Sequence, residues 1–185
     1  MDKHEFEIGR ALDGDFAEVV SLQNRNSVTA LSEDQRGDGF LRSAFTAAQF
    51  EEMARSVAII VARDAGEVVG FVCASTVEHN CDNPLVVAMT ERFPQISLGE
   101  QSLKSLRSCI AGPVCVDKGY RGQGLFERMY VRLFEEAASD YDALLAFVST
   151  ANTRSVAAHQ KVGMNIVDTF QFSGRDYFVV ARLIG

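Results

Sequence analysis

One segment in the second half of the chain combines a buried strand, a glycine-rich turn and the start of a helix. It runs from Val114 to Phe126 and has glycines at 122 and 124. Glycine lets a turn adopt positive φ and lets a ligand approach the backbone, while the first amides of a helix lack intrahelical acceptors. Because those amides and the helix dipole favour negative charge, and Arg121 adds a cation, the segment predicts an anion site suited to phosphate.

The order of the glycines disfavours the two commonest nucleotide-binding loops. The turn reads Arg121-Gly122-Gln123-Gly124, which is not Gly-x-Gly-x-x-Gly, and no Gly-Lys-Ser/Thr follows it. A glycine turn before a helix is also common as simple punctuation between elements. The turn alone therefore does not identify a ligand.

A second strand and helix downstream give the turn a more specific context. The apolar run from Ala143 to Val148 is typical of a strand covered on both faces. A helix follows, with Asn152 or Thr153 at its N-cap and Gly163 just past its end. In their order and spacing the two elements resemble the acyl-CoA-binding core of the GNAT superfamily of N-acetyltransferases, and the resemblance is specific over about 111–164.

This resemblance implies a set of residues that bind the cofactor. In the GNAT superfamily the glycine turn binds the pyrophosphate of coenzyme A, and the helix that begins with the asparagine lies beside the pantetheine arm. Backbone groups of the strand before the turn bind the acyl carbonyl and pantetheine. The implied cofactor-binding residues are Val114, Val116, Arg121, Gly122, Gln123, Gly124, Leu125, Phe126 and Asn152.

Two positions depart from the family pattern. Phe126 stands where the family usually has Gly or Ala, and His159 stands where it usually has a tyrosine. The first departure bears on how closely the helix approaches its ligand, and the second on the chemistry of the leaving group. An imidazolium with a pKa near ~6.5 can protonate a departing thiolate, so His159 is the candidate catalytic residue. An exposed and inert helix histidine is the alternative.

The sequence does not identify a general base for the amine. The strand from Ala111 to Val116 contains no carboxylate, whereas some relatives carry a glutamate there. Candidates in the region that follows the third predicted strand are also readily explained as solvated loop charges. A chain of water molecules to bulk solvent is the alternative. The candidates are Glu78, His79, Asp82 and Glu100.

The composition limits the class of protein. A chain of 185 residues with 47% hydrophobic residues can bury one substantial core, which predicts a single domain over residues 1–185. No stretch approaches the ~18 uninterrupted apolar residues that a membrane helix needs, so we expect a soluble, cytoplasmic protein without a membrane partner. The formal net charge of −7 argues against nucleic acid and mildly favours a cationic amine acceptor.

The cysteines indicate reduced thiols and no metal site. Cys73, Cys81, Cys109 and Cys115 form neither Cys-x-x-Cys pairs nor a metal-ligand spacing with the three histidines. Cys73 and Cys115 lie in apolar runs, which is typical of small buried hydrophobic residues. Since Cys115 lies close to the proposed acyl group, a nucleophilic role for it is the minor alternative.

The pattern of the whole chain predicts an α/β fold, with a central mixed sheet of about seven strands and about four helices around it. Residues 77–109 read as an insertion, with one helix from Asn83-Pro84 to Arg92 and another at 101–109. Pro113 predicts local unpairing of its strand, as the splayed central strands of the family require. The predicted strands are 6–11, 57–63, 68–76, the strand that contains Val114, 143–148, 166–172 and 177–183, and the loop is 26–40.

These features together predict an acyl-CoA-dependent N-acyltransferase that moves an acetyl group from acetyl-CoA to a primary amine by direct attack in a ternary complex. Two alternatives from other classes remain: an acyl-CoA-binding sensor without catalysis, and an interaction module that uses the loops 27–42 and 77–109. The sequence names neither the small-molecule or peptide acceptor nor the acyl length. It also leaves open whether the chain forms a homodimer.

Overall fold

The computed structural model describes residues 5–27, 41 and 44–185. Most of the predicted loops 26–40 and 27–42 therefore lies outside the described residues. In the described ranges the strands are β1 Glu7–Arg10, β2 Ala58–Asp64, β3 Glu67–Thr76, β4 Ser97–Leu98, β5 Gln101–Ser102, β6 Ser108–Val116, β7 Ala143–Ser149, β8 Asn165–Phe172 and β9 Arg175–Leu183. The α-helices are α1 Asp15–Arg25, α2 Ala47–Ser56, α3 Pro84–Thr90, α4 Leu125–Ala137 and α5 Thr153–Lys161.

Seven strands form one mixed sheet in the order β1-β2-β3-β6-β7-β9-β8. Strands β6 and β7 pair in parallel, while β1 with β2, β2 with β3, β7 with β9 and β8 with β9 pair antiparallel. This confirms the predicted α/β class and the predicted number of strands. The described ranges hold five α-helices rather than about four.

The chain divides into two compact units, each built from two stretches of sequence. The first unit comprises 1–74 and 113–133, and the second comprises 75–112 and 134–185. In the first, the apolar faces of α1 and α2 pack with β2 and β3; in the second, α3 packs with β7, β8 and β9. The single domain expected over residues 1–185 stays a prediction.

The predicted strands 57–63 and 68–76, and likewise 166–172 and 177–183, are joined as hairpins whose turns have the backbone that tight hairpins need. Ala65 and Gly66 join β2 to β3 with φ of 49° and 90°, and Ser173 and Gly174 join β8 to β9 with φ of 48° and 74°. Two successive residues of positive φ match the right-handed twist of the flanking strands.

The register between β6 and β7 is short. It covers three pairs, from Ser108–Ala143 to Ile110–Leu145, although β7 continues to Ser149. Beyond Ile110, β6 passes through Gly112, whose φ is +131°, and Pro113, which has no N–H to donate. The parallel register therefore ends close to the proline at which the sequence predicts an interruption.

The region 77–107 contains short elements. Helix α3 begins as predicted, because the Asn83 side chain accepts the amide of Leu85 at 3.1 Å and Pro84 occupies the first turn. The helix predicted at 101–109 is wrong. Gly99, with φ of +65°, reverses the chain so that β5 pairs with β4, and residues from Ser108 onward pair with β7. Strand pairing here outweighs the local sequence pattern.

This same region supplies part of the hydrophobic core of the second unit. Val86 and Met89 of α3 are buried in an apolar cluster with Phe170 of β8. Arg92 forms a two-bond ion pair with Asp168 of β8, in which Nη2 donates to Oδ1 at 3.0 Å and Nε donates to Oδ2. The Arg92 guanidinium lowers the pKa of Asp168 below its ordinary value. Apolar contacts of α3 and the charged pair of Arg92, just after it, thus both join this region to the sheet.

Candidate functional site

The glycine turn has the backbone that the sequence predicts. Gly122 and Gly124 have φ of +78° and +76°, and a Cβ placed on either would meet no atom within 4 Å. The carbonyl of Gly124 accepts the amide of Arg128 at 3.1 Å, so α4 begins directly after this glycine. The Gln123 side chain is directed back along the turn and donates to the Gly119 carbonyl at 3.4 Å. Open space beside a helix N-terminus is the geometry that accepts a phosphate group.

Contacts from three elements hold the first half of this turn. The amide of Asp117 donates to the Val69 carbonyl of β3 at 2.9 Å. The carboxylate of Asp117 lies 3.2 Å from a guanidinium nitrogen of Arg25, at the end of α1. The Tyr120 hydroxyl donates to Asp64 of β2 at 2.9 Å, and this bond raises the pKa of Tyr120 above its ordinary value. The first unit therefore fixes the entry to the turn before any ligand binds.

Among the described residues, oxygens of Val116 and Asn26 hold Arg121 within the first unit. Its Nε donates to the Val116 carbonyl at 3.0 Å, and its Nη2 donates to the side-chain oxygen of Asn26 at 2.8 Å. The side chain is half-buried. The predicted cation is thus present beside the turn in a defined orientation.

The other predicted residues of the first unit occupy β6 and the start of α4. Val114 and Val116 are half-buried in β6, where their backbone groups are the predicted contacts. Leu125 is 1% exposed, so its side chain belongs to the core and its backbone remains the candidate contact. Phe126 stacks on Tyr130 with ring centroids 4.6 Å apart and an interplanar angle of 27°. The ring of Phe126, which stands where the family usually has Gly or Ala, thus packs against its own helix.

Helix α5 in the second unit begins and ends as predicted. The Asn152 side chain accepts the amide of Ser155 at 3.1 Å and caps the helix. Beyond the other end Gly163 has φ of +81°, and Arg182 donates to the Val162 carbonyl at 2.7 Å. The N-cap role of Asn152 is confirmed, whereas its contact with pantetheine stays a prediction.

His159 is buried, which contradicts the alternative of an exposed helix histidine. The residue is 3% exposed, and its Nδ1 lies 2.8 Å from the Ser155 carbonyl oxygen. Because a carbonyl only accepts, Nδ1 carries the proton of this bond, and the neutral ring then has Nε2 as an acceptor. Burial lowers the pKa of His159 from its ordinary value of 6.5, and the bond to Ser155 opposes this in part. The structure therefore favours neutral imidazole near neutral pH.

Three of the four cysteines are buried. Cys73, Cys109 and Cys115 are buried, and Cys81 is exposed. Burial raises the pKa of Cys115 to about 12, against a smaller opposing effect of the Arg121 charge. At neutral pH the thiolate needed for nucleophilic attack is consequently a trace species. Within the described ranges no group of three or more His, Cys, Asp or Glu side chains could hold a metal ion.

Among residues 5–27, 41 and 44–185 the structure does not single out a general base. Glu78, Asp82 and Glu100 are exposed, and His79 is half-buried at the turn after β3.

The residues that sequence reasoning missed are those that hold the glycine turn, above all Asn26, which the pattern assigned to a loop. Its position directly after α1 was the available signal, because asparagine is frequent at helix termini.

The comparison with protein families decides the family. The sequence profile of the Acetyltransferase (GNAT) family matches residues 25–164. The chain belongs to the GNAT acetyltransferase family. This match includes the glycine turn, β6, β7 and α5, and confirms the predicted resemblance. No protein of curated function matches the chain significantly.

Solved structures show the same fold over nearly the whole GNAT chain. An N-acetyltransferase from Staphylococcus aureus Mu50 is 19% identical with a TM-score of 0.67, covering 98% of this chain and 99% of its own. A phosphinothricin acetyltransferase from Sinorhizobium meliloti in complex with AcCoA is 14% identical with a TM-score of 0.67, covering 97% and 89%. A putative acetyltransferase from Salmonella typhimurium with its cofactor acetyl-CoA is 15% identical with a TM-score of 0.64, covering 97% and 94%.

The helices of this GNAT protein are short. Among the described residues none is both long and apolar enough to cross a membrane.

Proposed function

We propose that this GNAT protein is an acyl-CoA-dependent N-acyltransferase that uses acetyl-CoA as its donor. The observation that carries the proposal is the turn at Gly122 and Gly124, where positive φ and open space coincide with the start of α4 and with a fixed cation at Arg121. Membership of the acetyltransferase family supports it. So do the two similar structures whose descriptions name acetyl-CoA.

The residues present fit coenzyme A in a defined way. Backbone amides at 122–125 lie at the start of α4 and would bind the pyrophosphate oxygens, with Arg121 beside them. Backbone groups of Val114 and Val116 would pair with the pantetheine arm and acyl carbonyl, as an added strand would. Asn152 would contact the pantetheine amides in addition to capping α5. Bound acetyl-CoA supplies a thioester, whose carbonyl carbon is the electrophile.

The acceptor is a primary amine that attacks the thioester directly. A C–N bond forms and the C–S bond breaks, while the amine loses one proton and the thiolate leaves with the electron pair. Transfer through an acyl-cysteine would need a thiolate, and the raised pKa of Cys115 weighs against that. Direct attack in a complex of both substrates is therefore the simpler course.

The role of His159 as proton donor to the thiolate stays a prediction. Its lowered pKa and its Nδ1 bond to Ser155 weigh against an imidazolium at neutral pH. Solvent can protonate the thiolate, or the thiolate can leave unprotonated. The deprotonation of the amine is assigned in the same way to water, since the candidate carboxylates are exposed loop residues.

A sensor that binds acyl-CoA without catalysis is the second candidate. The observation in its favour is the combination of a buried, neutral His159 with a β6 strand that has no carboxylate. Such a protein would keep the donor site and lack the groups that move protons.

Release of free thiol from acetyl-CoA separates these functions. The protein is mixed with acetyl-CoA and a panel of polyamines, amino acids and peptides, and coenzyme A binding is titrated separately. Thiol release that depends on one class of amine, with the acetylated amine found by mass spectrometry, is the expected result. Binding of coenzyme A without transfer to any amine would favour the sensor. Failure to bind coenzyme A would exclude both.

A further inference from the structure

We propose that Asn26 is a positioning residue for the coenzyme-binding turn, a role that rests on the proposed function. Asn26 follows α1 directly and is 5% exposed. Its side-chain oxygen accepts a hydrogen bond from Nη2 of Arg121 at 2.8 Å. A residue at the end of the first helix thus determines how the cation of the turn is oriented.

Both ends of the Asn26 carboxamide are used. The nitrogen donates to the Leu22 carbonyl at 3.0 Å, while the oxygen accepts from Arg121. Because a guanidinium only donates and a carbonyl only accepts, these partners fix which end is oxygen. Aspartate would set an oxygen against the Leu22 carbonyl, and alanine would make neither bond. The site therefore requires a donor and an acceptor on one short side chain.

The backbone of Asn26 is also anchored. Its amide donates to the carbonyls of Leu22 and Gln23 at 3.3 and 3.1 Å, and its carbonyl accepts the amide of Leu41 at 2.9 Å. Each hydrogen-bonding group of the residue thereby has a partner within the first unit. Such a residue is a fixed support for Arg121 rather than one that moves with it.

Orientation of Arg121 then fixes the start of the turn. Its Nε donates to the carbonyl of Val116, the last residue of β6, and Arg121 directly precedes Gly122. The bonds to the Val116 and Asn26 oxygens hold the guanidinium in one orientation beside the turn. Asn26 consequently acts on the pyrophosphate of coenzyme A through Arg121.

Titration with coenzyme A tests this role through a double-mutant cycle. The variants are Asn26→Ala, Arg121→Gln and the double variant. We expect Asn26→Ala to weaken coenzyme A binding about tenfold, the scale of a lost hydrogen bond to a charged group. In the Arg121→Gln background the same change should have almost no further effect, because the partner is gone. If the protein turns over, KM for acetyl-CoA should rise and kcat should stay close to the wild-type value.

Asn80→Ala provides the matched control. The Asn80 side chain donates to the Ser75 hydroxyl and to the Thr76 carbonyl, both at 2.8 Å, in the second unit. The Asn80→Ala variant therefore removes an asparagine side chain that, like that of Asn26, makes two hydrogen bonds, but whose partners are Ser75 and Thr76 rather than Arg121. Coenzyme A affinity should stay at the wild-type value, while thermal unfolding of each variant reports the loss of stability.

Two results would overturn the role of Asn26. One is unchanged coenzyme A affinity in folded Asn26→Ala, and the other is an equal loss of affinity in the wild-type background and in the Arg121→Gln background. If Asn26→Ala does not fold, Asn26→Leu, which is similar in size and makes neither bond, is judged by the same cycle. Failure of the wild-type protein to bind coenzyme A would instead remove the proposed function, so the two failures are distinguishable.

Discussion

The glycine turn and the region 77–107 are both connections between regular elements, and they contribute to the molecule in opposite ways. At the turn the backbone conformation determines the effect of a substitution, because Gly124 has φ of +76° while an added Cβ would meet open space. In the region 77–107 side chains are critical, because Val86, Met89 and Phe93 are buried in the core of the second unit. Changes in the first should remove binding and keep the fold, whereas changes in the second should do the reverse.

The largest effect should come from emptying the core beneath α3. Met89→Ala removes a fully buried side chain, and we expect the free energy of unfolding to fall by about 2–5 kcal/mol. Denaturant unfolding measures the loss. Coenzyme A affinity should change less than about threefold under conditions where the variant remains folded. A strong loss of affinity in folded Met89→Ala would break the comparison. Shortening 79–107 would be a poorer test, because it would remove these core residues.

Gly124→Val tests the opposite case. Valine at φ of +76° costs about 1–3 kcal/mol of backbone strain, so we expect coenzyme A affinity to fall about a hundredfold if the turn opens to relieve it. Steric crowding is not the cause, since nothing lies within 4 Å of the added Cβ; the cause is the positive φ.

Gly119→Val is the matched control for that change. A Cβ at Gly119 also meets nothing within 4 Å, but its φ lies outside the positive range that disfavours side chains. Coenzyme A affinity should change by less than about threefold. Equal affinity losses at Gly119 and Gly124 would show that the loop tolerates no side chain at all, and the conformational explanation would fail.

His159→Phe should have a moderate effect on rate. Since burial disfavours the imidazolium, we expect kcat near neutral pH to fall less than about tenfold, with acetyl-CoA affinity kept. Single-turnover rates measure this. A loss of about a hundredfold or more, recovered by His159→Tyr, would restore the proton-donor role that the family pattern suggested.

Stability should respond to the same residue with a defined sign. The pKa of His159 is lowered in the folded state, so the unfolded chain binds the proton more readily. The stability that the buried, neutral His159 contributes to the folded state is present above the unfolded pKa of about 6.5, and it is lost as pH falls through the folded pKa. His159→Phe should weaken that dependence of the unfolding free energy on pH below about 6.5.

The smallest effect should come from the ion pair between Arg92, just after α3, and Asp168 of β8. Asp168→Asn should lower stability at neutral pH by less than about 1 kcal/mol, because both side chains are partly exposed. The pKa of Asp168 is lowered, so its contribution is present above about pH 4 and is lost as pH falls through the folded value. The wild-type and variant unfolding curves should therefore converge in acid. A difference that persists there would point to packing rather than charge.

The sequence predicts the glycine turn better than it predicts the region 77–107, because the turn depends on local chemistry and that region on contacts with distant segments. Hairpins, helix caps and the turn depend on glycine, proline and asparagine at fixed positions, so local chemistry identifies them. The helix predicted at 101–109 failed because Ser108 and the residues after it find partners in β7, far along the sequence. Burial of His159 and the bond between Asn26 and Arg121 likewise arise only when distant segments meet.

Hydrogen exchange of the wild-type protein, with and without coenzyme A, tests the central claim most directly. If the turn binds the pyrophosphate, exchange should slow at the amides of 122–125 on addition of coenzyme A, since those N–H groups become donors to the ligand. Peptides that cover α3 should show much smaller changes. Saturating coenzyme A that leaves the exchange of 122–125 unaltered would contradict the assignment of this turn as the coenzyme site.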